Sequence, residues 1–281
     1  MERLVDFKQD REFGDILNAT FVFIKQNFKP LGKTLLIYAS PFIIMTSIVY
    51  AFFNVSMYSG ILGSGMNIFN MIGQMSGYGF LYILLAATSH TIFTGLIYGY
   101  VKLYNEKGFG NFEHIDVWKF ALKYFFPIFG TEIIFGLVVA VGFIMLVIPG
   151  IYLIVSLSLL LIILLIEEKG FSDAFSRSFL LTHKRWWWTF LLLLVTYIII
   201  MVINYIFAIP SLILQSVIMI HGGSAETYNI IYGFFIALSQ TVSYISYIIP
   251  MIALAFHYYS IVESIEQPSL HNEIENIGSE M

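Results

Sequence analysis

The chain has 281 residues, of which 58% are hydrophobic, 17% aromatic and only 11% charged, whereas roughly a quarter of the residues of a soluble domain are charged. This composition excludes a soluble globular protein and predicts an all-α, polytopic membrane protein built as a helical bundle. The net charge of −4 implies no nucleic-acid partner. Cysteine is absent, which excludes a disulfide framework, a thiolate nucleophile and a zinc ribbon.

Six apolar stretches are long enough to cross a hydrocarbon core, which takes about 20 helical residues. They lie at 34–57, 78–104, 128–148, 150–167, 186–209 and 229–261. Pro149-Gly150 is predicted to form the turn between the third and fourth stretches. Two interpretations stay open for this pair: two full crossings, which the length favours, or a re-entrant hairpin. We predict one integral membrane domain over 1–262 and an acidic, disordered tail over 263–281.

The basic residues predict how the chain is oriented in the membrane. All 14 Lys and Arg residues lie before the first stretch, at the end of the second or between it and the third, or between the fourth and fifth. The loops on the opposite side, 58–77 and 210–228, contain none. Because positively charged loops stay in the cytoplasm, both termini are predicted to be cytoplasmic.

A short amphipathic helix is predicted before the first, third and fifth stretches, at the membrane interface. Asp15, Asp116 and Asp173 each begin a similar series of small and aromatic residues, which indicates a threefold internal repeat of one interfacial helix and two spans. Chance agreement stays open, since acidic residues are favoured at any helix N-terminus. Arg177 follows Asp173 by four residues, a spacing that predicts an ion pair.

Among the polar side chains inside the predicted spans, four are candidates for a functional site: His90, Glu132, Asn204 and Gln240. Glu132 is either a proton or cation site, or a structural carboxylate that is protonated or paired with a base such as Lys123. His90 either titrates in a transporter or forms hydrogen bonds between helices, and Asn204 and Gln240 invite the same choice. If these residues line one cavity, the chain is a small-molecule or ion transporter that uses Glu132 and His90.

Basic and aromatic residues gather at the start of the fifth span. They are Arg177, Lys184, Arg185, Trp186, Trp187 and Trp188. Their pattern is typical of an ordinary membrane interface, and it also fits the capture of an anionic lipid headgroup between helices. No metal-ligand spacing, serine-hydrolase elbow or phosphate-binding loop is present. We therefore predict no enzymatic activity, no cofactor and no metal.

One region resembles a known family. It reads Pro149-Gly-Ile-Tyr, then Glu167, then Gly170-Phe-Ser-Asp-Ala-Phe-Ser-Arg-Ser, then Arg185-Trp. This pattern resembles the membrane domain attached to some glycerophosphodiester phosphodiesterases, and it is similar to uncharacterised bacterial inner-membrane proteins that consist of this module alone. In the phosphodiesterases a separate soluble barrel is catalytic, so the resemblance implies a membrane module without that activity. The expected role is a membrane scaffold or lipid-contacting subunit, with membrane lipids and membrane or cytoplasmic proteins as partners.

Overall fold

The computed structural model describes residues 5–63, 73, 75–221 and 226–267, and within these ranges the regular structure is entirely helical. A π-helical turn, Met75–Gly79, precedes the fourth α-helix. The α-helices of the described residues are α1 (Phe13–Gln26), α2 (Phe28–Tyr38), α3 (Ser40–Gly63), α4 (Phe80–Lys107), α5 (His114–Lys123), α6 (Phe125–Met145), α7 (Val147–Ser156), α8 (Leu160–Ile166), α9 (Phe171–Lys184), α10 (Trp186–His221), α11 (Glu226–Ser246) and α12 (Ile248–Glu266). The predicted all-helical class is confirmed.

Among the described residues, five helical segments are long and apolar enough to cross a membrane. They are Gly77–Lys107, Phe125–Met145, Val147–Ile166, Trp186–Val217 and Ile230–Glu266. A sixth results if α2 and α3, which are bent by 61° relative to each other, count as one span. The bend falls within the first predicted span, where Pro41 lacks the N–H that an uninterrupted helix needs. The predicted six spans are therefore reached only with this bent pair.

The turn between α6 and α7 lies at Leu146, so the predicted turn at Pro149-Gly150 is wrong. Leu146 is extended, with φ −170° and ψ 159°. Pro149 lies in the first turn of α7, where a helix needs no N–H from it. Gly150 instead allows close packing of the hairpin, because a Cβ there would lie 2.7 Å from Cγ of Phe143.

Two other predicted boundaries differ from the structure. Helix α10 continues through Pro210 to His221, beyond the predicted end at residue 209, since a helix surrounded by lipid keeps its backbone hydrogen bonds wherever it can. Helix α12 extends to Glu266, so the predicted tail, 263–281, begins as helix. Residues 268–281 lie outside the described residues, as does half of the predicted loop 58–77.

The chain forms two compact units. The second unit, Leu35–Phe93 and Ile198–Ile248, contains α3 and α11 packed along each other. Hydroxyl groups connect its helices: Thr241 donates to Ser47 Oγ at 3.0 Å, and the oxygens of Thr46 and Ser89 are 2.7 Å apart. Such contacts stabilise helix packing in lipid, where burial of apolar surface gives little driving force between helices.

The first unit comprises Met1–Thr34, Thr94–Tyr197 and Ile249–Met281. Its core contains an aromatic cluster that begins before α1. Phe7 is fully buried and stacks on Phe256 of α12, with ring centroids 4.0 Å apart. Phe23 and Tyr104 contact Phe7 edge-on, at 5.1 and 6.0 Å. The segment before α1 is thus anchored in the core of this unit.

Each of three short helices leads into the next helix through a single residue. These linking residues are Asn27 after α1, Tyr124 after α5 and Arg185 after α9. Asn27 and Tyr124 have nearly the same backbone geometry, with φ −98° and ψ 8° or 6°. Helices α1 and α9 both have 14 residues and carry Phe at the first position and Asp at the third.

Candidate functional site

Polar side chains of the first unit meet on the last turns of α12. Those of α12 itself, which we call the α12 hub, are His257, Tyr258, Ser260, Ser264 and Glu266. Their partners come from the segment before α1, the connection between α8 and α9, and the junction of α9 with α10. Helix α12 therefore joins parts of the chain that are far apart in sequence.

Arg177 lies between two carboxylates at this hub. Its Nε donates to Glu167 Oε1 at 2.6 Å, and its terminal nitrogens donate to the two oxygens of Glu266 at 2.8 and 3.1 Å. Tyr258 donates to the same Oε1 of Glu167 at 2.7 Å, and Lys169 Nζ lies 2.6 Å from Oε2. The charge of Arg177 is thus matched by carboxylates within the protein.

The predicted ion pair between Asp173 and Arg177 is wrong. Asp173 is exposed in the first turn of α9, whereas the side chains of Arg177 and Glu167 are only 18% and 14% exposed. An ion pair is stronger where water is largely excluded, and the planar guanidinium suits a two-point contact with a carboxylate such as that of Glu266. Arg177 therefore pairs with two other segments instead of its own helix.

Glu167 and Arg177 are both held in their charged forms. Burial opposes ionisation of Glu167, but hydrogen bonds from Lys169, Arg177 and Tyr258 outweigh it and hold the pKa of Glu167 below its ordinary value. The hydrogen bonds to Glu266 raise the pKa of Arg177. The stability that Glu167 contributes is therefore present above a pH of about 4.5, and it is lost as the pH falls through the lowered pKa. This arrangement suits a permanent structural contact rather than proton transfer.

Lys102 of α4 closes the C-terminal end of α8. Its Nζ lies 2.5 Å from Glu168 Oε1 and donates to the carbonyl oxygens of Leu165 and Ile166 at 3.4 and 3.3 Å. A cation is favourable at a helix C-terminus, where the carbonyl groups lack helical partners. Glu168 has a φ of +53°, and its carboxylate also lies 3.9 Å from Lys123. These contacts fix the turn that places Glu167 against α12.

The junction of α9 and α10 is connected to the segment before α1. Arg185 donates to Ser264 Oγ at 2.6 Å and to Asp10 Oδ1 at 3.4 Å. Ser260 donates to the same Asp10 oxygen at 3.0 Å, and the backbone N–H of Arg11 donates to Ser260 Oγ at 3.0 Å. Arg185 and α12 thus hold the segment before α1 from two sides.

A cavity of about 640 Å³ opens beside these contacts, and we call it the junction cavity. Its walls are residues 10–14 and Ile16, then Lys184, Arg185 and Trp188 of the α9–α10 junction, and His257 of α12. All of these residues belong to the first unit. The cavity combines cationic, acidic and aromatic groups at the start of an apolar helix.

The predicted group of basic and aromatic residues divides into packed and exposed members. Trp186 stacks on Tyr152, with ring centroids 5.9 Å apart, and on Phe190 at 5.5 Å. Trp187 and Trp188 are 75% and 54% exposed. Arg177 and Arg185 are engaged by side chains, as described above. Lys184 is exposed, and within the described part of the chain it has no ion-pair partner.

The four candidate residues of the predicted spans each contact another segment. Glu132 lies in the first unit, and His90, Asn204 and Gln240 lie in the second. Thr94 donates a hydrogen bond to Glu132 at 3.2 Å. Asn204 donates one to Ser243, and Gln240 donates one to Tyr82, both at 3.3 Å. The His90 ring contacts the Tyr247 ring edge-on, with centroids 6.3 Å apart. For Asn204 and Gln240 these bonds favour the interpretation as interhelical contacts. A single cavity lined by all four residues stays a prediction.

The described residues thus define an all-helical protein whose apolar helices are long enough to cross a membrane, with a charged and aromatic cluster at the end of α12. A family model described as a domain of unknown function, DUF7847, matches residues 121–262. The match spans half of the chain, which belongs to this family. The matched segment contains Glu167, Arg177 and His257 but not Asp10 or Glu266. Comparison with the curated proteins and with the solved structures gives no match.

Proposed function

We propose that this chain is a non-enzymatic, multi-pass protein of the bacterial cytoplasmic membrane that acts as a membrane scaffold or lipid-contacting subunit. The observation that carries the proposal is the contrast at the α9–α10 junction. The charges that face α12 are paired with one another, whereas Lys184, Trp187 and Trp188 are exposed at the start of an apolar helix. A cation beside exposed indoles suits the phosphate and carbonyl region of a lipid bilayer.

The orientation with both termini in the cytoplasm is part of this proposal. Contacts at the α12 hub support it, because Asp10 and Arg11 bind Ser260 although about 250 residues separate them. The segment before α1 and the end of α12 therefore lie at the same end of the first unit. The distribution of Lys and Arg independently favours the cytoplasmic side for that end.

The threefold repeat and its amphipathic interfacial helices are a further part of the proposal. The shared length of α1 and α9, with Phe and Asp at matching positions, supports it. So does the similar backbone geometry of Asn27 and Tyr124 where a short helix meets the next helix. Each short helix would then lie in the interface and position the helix that follows it.

The resemblance to the membrane domain of glycerophosphodiester phosphodiesterases falls within the segment that the family model matches. The resemblance supports a module that works beside protein partners, with which its exposed apolar surfaces or its short helices would interact. The chemistry in such an assembly would belong to the partner. We therefore extend the proposal to a supporting subunit, without assigning a reaction to this chain.

Lipid contact can be tested through tryptophan fluorescence. In one variant Trp187 is the sole tryptophan, and in the matched control Trp186 is, the other tryptophans being replaced by phenylalanine. Phospholipids brominated on the acyl chain close to the headgroup should quench Trp187 several times more strongly than Trp186, because Trp187 is exposed and Trp186 packs on Tyr152. Equal quenching of the two would contradict lipid contact at this junction.

A transporter that uses Glu132 and His90 is the second proposal. It is favoured by one observation, a carboxylate within the apolar helix α6 that accepts a hydrogen bond from Thr94 of α4. If Glu132 carries a proton or cation, Glu132→Gln should abolish proton or sodium flux into proteoliposomes while leaving thermal stability unchanged. Thr131→Val, beside it on α6, is the control. Normal flux in Glu132→Gln, or none in the parent protein, would make Glu132 a structural residue.

A further inference from the structure

The wall of the junction cavity includes a histidine with a buried nitrogen that lacks a partner within the described part of the chain. His257 lines the cavity and is only 2% exposed. Its Nε2 lies 2.8 Å from Thr189 Oγ1, whereas its Nδ1 is buried and has no hydrogen-bond partner within the described part of the chain. Leaving a buried polar atom unpaired is unfavourable, so this nitrogen indicates a group that the cavity receives.

The neighbours of His257 determine what that group must offer. Thr189 Oγ1 donates its hydrogen to the carbonyl oxygen of Arg185 at 3.1 Å. With that hydrogen used, the contact between Thr189 and Nε2 is made by a hydrogen on Nε2. In the neutral imidazole Nδ1 then carries a lone pair and acts as an acceptor. A ligand that pairs with His257 must therefore bring a donor, such as a hydroxyl group.

The charges around the cavity determine the rest of the ligand. Three cations, Arg11, Lys184 and Arg185, line it with two carboxylates, Asp10 and Glu12. One negative charge, as on a phosphodiester, balances this set. An ammonium group in the cavity would instead share it with the guanidinium groups of Arg11 and Arg185, which is unfavourable.

Two further features provide a place for the anion. The Arg11 guanidinium donates to the neutral carbonyl oxygens of Phe7 and Gln9, so its charge is not matched by a direct carboxylate contact. Gly14 lines the cavity in the first turn of α1, where the positive end of the helix favours a negative group. Glu12 makes no side-chain cap at this helix, whose first turn also carries Asp15.

The position of the cavity identifies the source of the phosphodiester. Trp188 and Phe13 lie in its wall with ring centroids 6.0 Å apart, and Trp188 belongs to the first turn of the apolar helix α10. Indoles at the ends of membrane helices lie at the depth of lipid headgroups. A lipid phosphate can therefore reach the cavity from the bilayer.

We infer that the junction cavity binds an anionic phospholipid headgroup that carries a hydroxyl group, with the phosphate near Lys184 and Arg11 and the hydroxyl donating to His257 Nδ1. This inference rests on the proposed lipid-contacting function and deepens it. The ligand class follows from a phosphodiester charge, a hydroxyl donor and access from the membrane. Phosphatidylglycerol is the probe that combines these features.

Native mass spectrometry of the full chain in detergent, titrated with single lipids, tests the inference. Phosphatidylglycerol is compared with phosphatidylmethanol, which has the same charge but no hydroxyl, and with phosphatidylcholine. We expect about tenfold tighter binding of phosphatidylglycerol than of phosphatidylmethanol, the effect of one hydrogen bond to a buried polar atom. Lys184→Ala should weaken both anionic lipids several-fold, whereas Lys119→Ala, which removes an exposed lysine of α5, should not.

Two variants of His257 separate its two ring nitrogens. Glutamine places a polar group near the position of Nε2 and so keeps the contact with Thr189, whereas asparagine places one near Nδ1. His257→Gln should therefore lose the preference for phosphatidylglycerol over phosphatidylmethanol, and His257→Asn should keep it. The ratio of the two affinities is compared, so a general loss of stability does not imitate the effect.

The remaining outcomes are distinguishable. Equal affinity of the parent protein for phosphatidylglycerol and phosphatidylmethanol, as expected if Nδ1 meets only a water molecule, overturns the inference and leaves lipid contact intact. Equal affinity for these lipids and phosphatidylcholine, together with equal quenching of Trp186 and Trp187, overturns the proposed function as well. Displacement of phosphatidylglycerol by millimolar glycerol phosphate would assign the cavity to a soluble phosphate ester and overturn the assignment to lipid.

Discussion

Replacing Arg177 by alanine is expected to lower the free energy of unfolding in detergent by roughly 2 to 3 kcal/mol. The substitution leaves the largely buried carboxylate of Glu167 with only Lys169 and Tyr258, and it removes from Glu266 the partner that contacts both of its oxygens. Fully buried pairs cost about 3 to 5 kcal/mol when one partner is removed. The expected cost is smaller here because the Glu266 side chain is 40% exposed and water screens that contact. Unfolding by a denaturing detergent, followed by circular dichroism, measures the change.

Asp173→Ala is the matched control for this prediction. Asp173 is the partner that spacing alone predicts for Arg177, but it is exposed and contributes mainly by its place at the start of α9. Its removal should therefore cost no more than about 0.5 to 1 kcal/mol. A double-mutant cycle should give a large coupling of Arg177 with Glu167 and almost none with Asp173. The opposite pattern would show that the pairing on α9 is the stabilising one.

Phe7→Ala is expected to release the segment before α1 from the first unit. Removing a fully buried phenylalanine costs about 3 to 5 kcal/mol, and Phe7 is 0% exposed against Phe256, Phe23 and Tyr104. This energy should raise the population of the detached segment about 100-fold or more. Trypsin cleavage after Lys8 and Arg11, followed by mass spectrometry, reports that population when opening is fast.

A second phenylalanine controls for the loss of the side chain itself. Phe126→Ala removes the same group from α6, where the residue is 81% exposed, and cleavage after Lys8 and Arg11 should be unchanged. If Phe7→Ala and Phe126→Ala were cleaved at the same rate, the stack of Phe7 on Phe256 would contribute nothing to holding this segment. The cavity beside Asp10 would then lack a fixed wall.

The positions of the apolar helices follow from the sequence because length and hydropathy act locally. About 20 apolar residues in succession suit a membrane-crossing helix wherever they occur. The ends of the helices were less predictable. Pro149 was expected to make a turn, but proline is also stable in the first turn of a helix, and the extended residue is Leu146. The fifth span is predicted to end at residue 209, but α10 continues through Pro210 to His221.

The partners in the candidate site depend on contacts between distant residues, which no local pattern encodes. Spacing favoured Asp173 for Arg177, whereas the structure pairs Arg177 with Glu266, 89 residues away. Phe7 and Asp10 precede the first helix and gave no signal of burial or pairing. The run of buried residues around His257 could have drawn attention to α12, because a histidine in an apolar helix needs partners. The sequence alone identifies Lys184, Arg185 and Trp188, because basic residues and tryptophan are characteristic of membrane interfaces.

The composition of the first unit has a consequence for the order in which the protein is made. Helix α12 is synthesised after the other described helices of this unit, yet it holds Arg177, Arg185, Thr189 and Asp10 through side-chain bonds. Until α12 has been inserted, these earlier residues cannot reach their final contacts. Assembly of the unit is therefore completed late in biosynthesis, and an interrupted translation product would expose the charged residues that α12 normally covers.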